Sequence, residues 1–169
     1  MAQLFLVRCE TRYLVKTFKI FSRRGQEVVM VLYALRELGS IRTKEEVLSF
    51  IRGHRFYAIQ PEDKATYEGH HEWKSDTLLC WARKDAVMDN LGWMFHHDEK
   101  DSWEITREGL AALDEICKRF QTKRWEVHRC FMWRPEFKRI IDPTYTESSR
   151  DWPRLRTKRE RQRQLLDEL

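Results

Sequence analysis

Apolar residues recur with helical spacing along most of the chain and alternate in shorter runs between. Val28, Val31, Leu32, Leu35 and Leu38 form one stripe, closed by Gly39 as a natural helix terminator. Ile41 can supply a short strand. Thr43-Lys44-Glu45-Glu46 reads as a capping box, in which the threonine hydroxyl and the glutamate satisfy exposed N–H groups reciprocally. Val47, Leu48, Phe50 and Ile51 then continue as a second helix to about Gly53. A third helix, about Lys74 to Asn90, is expected to turn Leu78, Trp81, Ala82 and Ala86 to the core. Its other face offers Lys74, Thr77, Arg83, Lys84 and Val87. A fourth, Arg107 to Phe120, carries the stripe Leu110, Leu113, Ile116, Cys117 and Phe120, with Thr106 placed to cap it.

Between the third and fourth helices, Trp93 to His96 and Ser102 to Thr106 are strand-like, and His97 to Asp101 is a polar turn. Helix, hairpin, helix in that order is how a winged helix-turn-helix finishes. The expected fold class is therefore α+β: a winged helix over residues 22–120, an N-terminal β-hairpin extension over 1–21, an aromatic connecting segment over 121–149 and a basic C-terminal helix or tail over 150–169. The hairpin strands are expected at Leu4–Cys9 and Tyr13–Phe21, with an Arg-rich presequence as the alternative. Trp125 to Phe131 alternates and predicts another strand. Residues 54–72 form a long polar connection of a length often put to functional use. Trp81 and Trp103 read as core. Trp93 is open to packing on the N-terminal extension, and Trp125, Trp133 and Trp152 to forming a partner surface.

Trp81-Ala82-Arg83, Leu91, and Trp103-x-Ile105-Thr106-x-x-Gly109 together resemble the N-terminal winged-helix domain of Mrr-type restriction endonucleases. The resemblance covers roughly residues 22–120. It implies a DNA-reading module, in that family usually attached to a separate nuclease domain.

Charge distribution complicates that implication. Formal net charge is +5. Residues 22–120 hold 15 basic and 18 acidic side chains, a balance of −3, whereas residues 1–24 and 150–163 each carry +5. A DNA-binding domain normally shows its basic footprint on the reading face, so here the two ends would supply much of the phosphate attraction. Mean hydropathy is −0.71 and no apolar run is long enough to span a bilayer, so no membrane partner is expected and a cytoplasmic location is. Cys9, Cys80, Cys117 and Cys130 are widely spaced, which favours reduced thiols over disulfides or zinc.

Two patterns suggest catalysis or metal binding. Glu62 and Asp63, followed by Glu72 and Lys74, would need to lie on adjacent strands to hold a metal, yet fall in a loop and at a helix start. His70-His71 and His96-His97 are adjacent pairs, and neighbours on a strand point to opposite faces. No enzyme, metal or cofactor is therefore expected. The expected function is non-catalytic binding of nucleic acid, duplex DNA in particular, through Lys74, Thr77, Arg83 and Lys84 of the third helix and His97 and Lys100 of the wing. Arg154, Arg156, Lys158, Arg159, Arg161 and Arg163 of the tail would add phosphate contacts. The alternative is a protein-interaction adaptor of a larger nucleic-acid-handling assembly, with a protein partner at the C-terminal region.

Overall fold

The structure, a computed structural model, describes residues 18–39, 41–58, 74–88, 91–98 and 101–147. It is an α+β fold. In chain order it runs α1 (Arg23–Leu38), β1 (Ile41–Thr43), α2 (Lys44–Gly53), α3 (Lys74–Met88), β2 (Met94–His97), β3 (Ser102–Ile105), α4 (Arg107–Thr122), a 3-10 helix (Arg124–Arg129) and α5 (Pro135–Ile141). The strands form one antiparallel sheet in the order β1-β3-β2, with Ile41 and Phe95 both opposite Glu104, and Arg42 and His96 both opposite Trp103.

Local chemistry explains the helix starts. Ser22 accepts from the Gly25 N–H, and Thr106 from the Gly109 N–H at 3.0 Å, each closing a first turn. Thr43 and Glu46 make the expected capping box, with the Thr43 N–H donating to the Glu46 carboxylate at 2.8 Å. Gly39 ends α1 at φ 97°, a conformation that costs other residues steric strain.

α1 does not present a single stripe. Every residue from Gly25 to Leu35 is buried, because α2, α3, α4 and β3 all pack around it. Its polar residues are accordingly satisfied. Glu27 accepts from the Tyr57 hydroxyl at 2.6 Å and from Arg23 at 3.0 Å. Burial and the Glu27 carboxylate both push the Tyr57 hydroxyl pKa upward, so it remains a donor.

The segments flanking the core differ from the sequence expectations in four places. Phe18 to Phe21, expected as the end of a strand, lies in a turn that buries Ile20 and sets Phe18 edge-on to Trp93 at 4.9 Å. The predicted strand Leu4–Cys9 and the basic C-terminal helix lie outside the described residues. Residues 124–129 form a 3-10 helix instead of a strand. Glu126 reaches back to Arg119 of α4 at 2.6 Å, and Val127 and Cys130 turn inward with a spacing of one helical turn. Trp133, expected on a partner surface, is core: it stacks edge-on with Phe120 and Phe137 and pairs with Tyr57 as an isolated β-bridge. Residues 56–58, expected in a polar connection, are buried against that segment.

Candidate nucleic-acid interface

α3 is fixed against α1 and α2 before any ligand is considered. Asp76 pairs with Arg52 of α2 at 2.9 Å, Arg24 of α1 donates to the Leu78 carbonyl, and Leu79 and Ala82 are fully buried. Those anchors set the helix phase, with residues 76, 79 and 82 inward. Trp81 therefore faces out. It is 48% exposed, which corrects the expectation of a core tryptophan, and Leu79 rather than Leu78 takes the deeply buried place. The Lys84 ammonium lies 5.0 Å from the centroid of the Trp81 ring, so the two make one exposed cation–aromatic pair.

Arg83 does not join it. The guanidinium is half-buried and sits over the Trp103 ring at 5.7 Å, and its Nε is buried with no hydrogen-bond partner. Of the four expected α3 contacts, only Lys84 is shown exposed. The side chains of Lys74 and Thr77 lie outside the described residues, as do Lys100 and Arg154, Arg156, Lys158, Arg159, Arg161 and Arg163.

The β2–β3 hairpin is held by its own acids. His97 Nε2 is 2.8 Å from Glu104 across the hairpin, and the ring packs edge-on against Phe95 at 4.8 Å. His96, on the other face, contacts Asp98 at 2.9 Å through Nδ1 and Asp101 at 3.1 Å through Nε2. The two histidines thus diverge, and His97 is engaged internally. In sequence, Asp98, Glu99, Asp101 and Glu104 outnumber Lys100 around the turn, an acidic balance. Among the described residues no three histidine, cysteine or acidic side chains gather as a metal site, and Glu62, Asp63, Glu72 and the His70-His71 pair lie outside them. No described helix is long and apolar enough to cross a membrane.

The Trp81–Lys84 pair escapes a sequence reading that assigns every helix tryptophan to the core. The signal that could have found it is the i, i+3 spacing of an aromatic and a lysine beside two consecutive leucines of ambiguous phase. Comparison of the chain with models of known families, with curated proteins and with solved structures gave no match.

Proposed function

We propose that the chain is a non-catalytic nucleic-acid-binding protein built on a winged helix-turn-helix, with duplex DNA as ligand and α3 as the element offered to the groove. The observation that carries this reading is the order α1-β1-α2-α3-β2-β3-α4 with β1 closing on the β2–β3 hairpin. That order supports a reading in which α2 and α3 act as a helix-turn-helix pair and the hairpin as a wing. The resemblance of Trp81-Ala82-Arg83 and Trp103-x-Ile105-Thr106-x-x-Gly109 to the Mrr-type N-terminal domain points the same way. Lys84 contacts the duplex, Arg83 supports the helix from beneath, and the acidic wing adds little phosphate affinity. Most of the electrostatic attraction comes from the basic ends, residues 1–24 and 150–163.

The test is a salt titration of binding to a short generic duplex. Each phosphate contact should contribute about −0.9 to the slope of log affinity against log salt. Lys84→Ala and deletion of residues 153–169 should each flatten it. A slope near zero for the full chain ends the reading, and cleavage of plasmid in magnesium or manganese ends its non-catalytic part.

A second reading, the protein adaptor, is favoured by the outer sheet face. Ile41 and Phe95 flank Glu104 there as directly opposed residues, and both are exposed. If Phe95→Ser releases a co-purifying protein while duplex affinity is negligible at low salt, the adaptor reading takes precedence.

A further inference from the structure

A basic surface stands where α4 ends and the 3-10 helix begins. From Lys118 to Arg129 the chain carries Lys118, Arg119, Lys123, Arg124 and Arg129 against Glu126 as the sole carboxylate. That carboxylate is held by Arg119, at 2.6 and 3.3 Å. Lys118 pairs with Glu115 at 3.3 Å. Lys123, Arg124 and Arg129 are exposed and have no carboxylate partner among the described residues.

Amid these cations stands Trp125, 61% exposed. The Arg129 guanidinium is 3.9 Å from the centroid of the Phe21 ring and 5.8 Å from that of Trp125, so it lies within reach of one buried-side ring and one outward ring. Cations at the end of a helix also offset its carbonyl dipole, which accounts for Lys118 and Arg119. It does not account for an indole left in water beyond the last turn, between cations that pair with no described carboxylate.

Exposed aromatic rings set among free cations suit single-stranded nucleic acid. An unpaired base stacks on the ring, and the cations hold the flanking phosphates. A duplex keeps its bases paired and stacked, so it can use the cations but not the ring. We infer that the corner formed by the end of α4 and the 3-10 helix binds single-stranded nucleic acid, with Trp125 stacking on a base and Lys123, Arg124 and Arg129 contacting phosphates. The inference rests on the proposed function for its class of partner but uses none of the α3 or wing residues.

The experiment is fluorescence anisotropy of the full chain with labelled oligo-dT, with an abasic strand of equal length, and with duplex. Wild type should bind oligo-dT more tightly than the abasic strand. Trp125→Ala should weaken oligo-dT binding by about 5- to 100-fold and abolish that preference, while Trp125→Phe retains most of it. Lys123→Ala with Arg124→Ala should reduce the salt slope by about 1.4. Trp125 is exposed, so an unchanged melting temperature will show that the variant folds. Equal binding of oligo-dT and abasic strand by wild type, or no effect of Trp125→Ala, overturns the inference. So does polyglutamate that binds as tightly as oligo-dT with the same Trp125 dependence, which would assign the corner to an acidic protein. Loss of duplex binding in Lys84→Ala with oligo-dT binding intact supports both readings. Trp125-dependent strand binding without any duplex binding by wild type sinks the proposed function alone.

Discussion

The indole Nε1 of Trp133 donates a 3.0 Å hydrogen bond to the backbone carbonyl of Gln26, although the two residues are 107 positions apart. The Gln26 side chain completes the joint by accepting the Met132 N–H at 2.8 Å. A glutamine buried at the first turn of α1 would otherwise be costly. Here it is what ties the C-terminal aromatic segment to α1.

Removing either side of that joint should destabilise the whole fold. Gln26→Ala leaves the Met132 N–H buried and unpaired, a loss of about 1–3 kcal/mol. Trp133→Ala also opens a cavity against Phe120 and Phe137 and should cost about 3–5 kcal/mol. Chemical denaturation of the two variants checks both values. Wild-type stability in Trp133→Ala would mean that the segment is not part of the core.

Gly109 tests the junction of hairpin and α4. A Cβ built there would stand 2.0 Å from the Trp93 carbonyl oxygen and 3.0 Å from Ile105. The same carbonyl accepts the Thr106 N–H at 3.0 Å, so it cannot retreat freely. Gly109→Ala should therefore destabilise by about 1–3 kcal/mol, as overpacking does, despite alanine's better helix propensity. A raised melting temperature would contradict the close approach.

Trp81 and Trp103 should separate cleanly. Trp103 is fully buried and Trp81 is half-exposed. Trp103→Ala should cost about 3–5 kcal/mol, whereas Trp81→Ala should fall within roughly 0.5 kcal/mol of wild type. Thermal melts decide it. If Trp81 contributes to duplex binding beside Lys84, its loss should show in affinity and not in stability.

The contrast between those tryptophans marks where sequence reasoning ran out. Caps were legible because they are local: Thr43 with Glu46 and Thr106 with Gly109 each lie within one turn. The hairpin was legible because Trp103 and Ile105 alternate with polar residues around a turn. The phase of α3 was not, because Leu78 and Leu79 are adjacent and either could face in. It is decided by Arg52 reaching Asp76 from 24 residues away. Likewise Trp125 to Phe131 alternates on paper, but the Arg119–Glu126 pair folds it back as a 3-10 helix. Gln26 and Glu27 look like surface residues until residues 57 and 132–133 close over them.

Cys130 should be chemically silent in the folded protein. It is fully buried, and burial pushes its thiol pKa well above the ordinary value. Alkylation at mildly alkaline pH, mapped by mass spectrometry, should label Cys130 only as fast as the protein unfolds. Cys117, half-buried with its pKa also raised by burial, should react more slowly than a free thiol. Rapid labelling of Cys130 under native conditions would contradict its packing against Val127 and the 3-10 helix.

The capping box at the start of α2 gives a pH dependence with a definite sign. Glu46 accepts the Thr43 N–H at 2.8 Å and the Thr43 hydroxyl at 3.0 Å, and these bonds hold its carboxyl pKa below the ordinary 4.5. The Arg42 guanidinium, 3.6 Å away, lowers it further. Because the folded-state value is the lower one, the ionised carboxylate favours folding. That contribution is fully present above the unfolded value and disappears as pH falls through the folded one. Glu46→Gln keeps a group able to accept the Thr43 N–H but does not titrate. The variant should be less stable than wild type at neutral pH, with the gap closing as pH drops below about 4.5. Denaturation midpoints measured across that window check it. A gap that stays constant with pH would mean that the charge on Glu46 does not contribute to folding, and that its role at Thr43 is hydrogen-bonding alone.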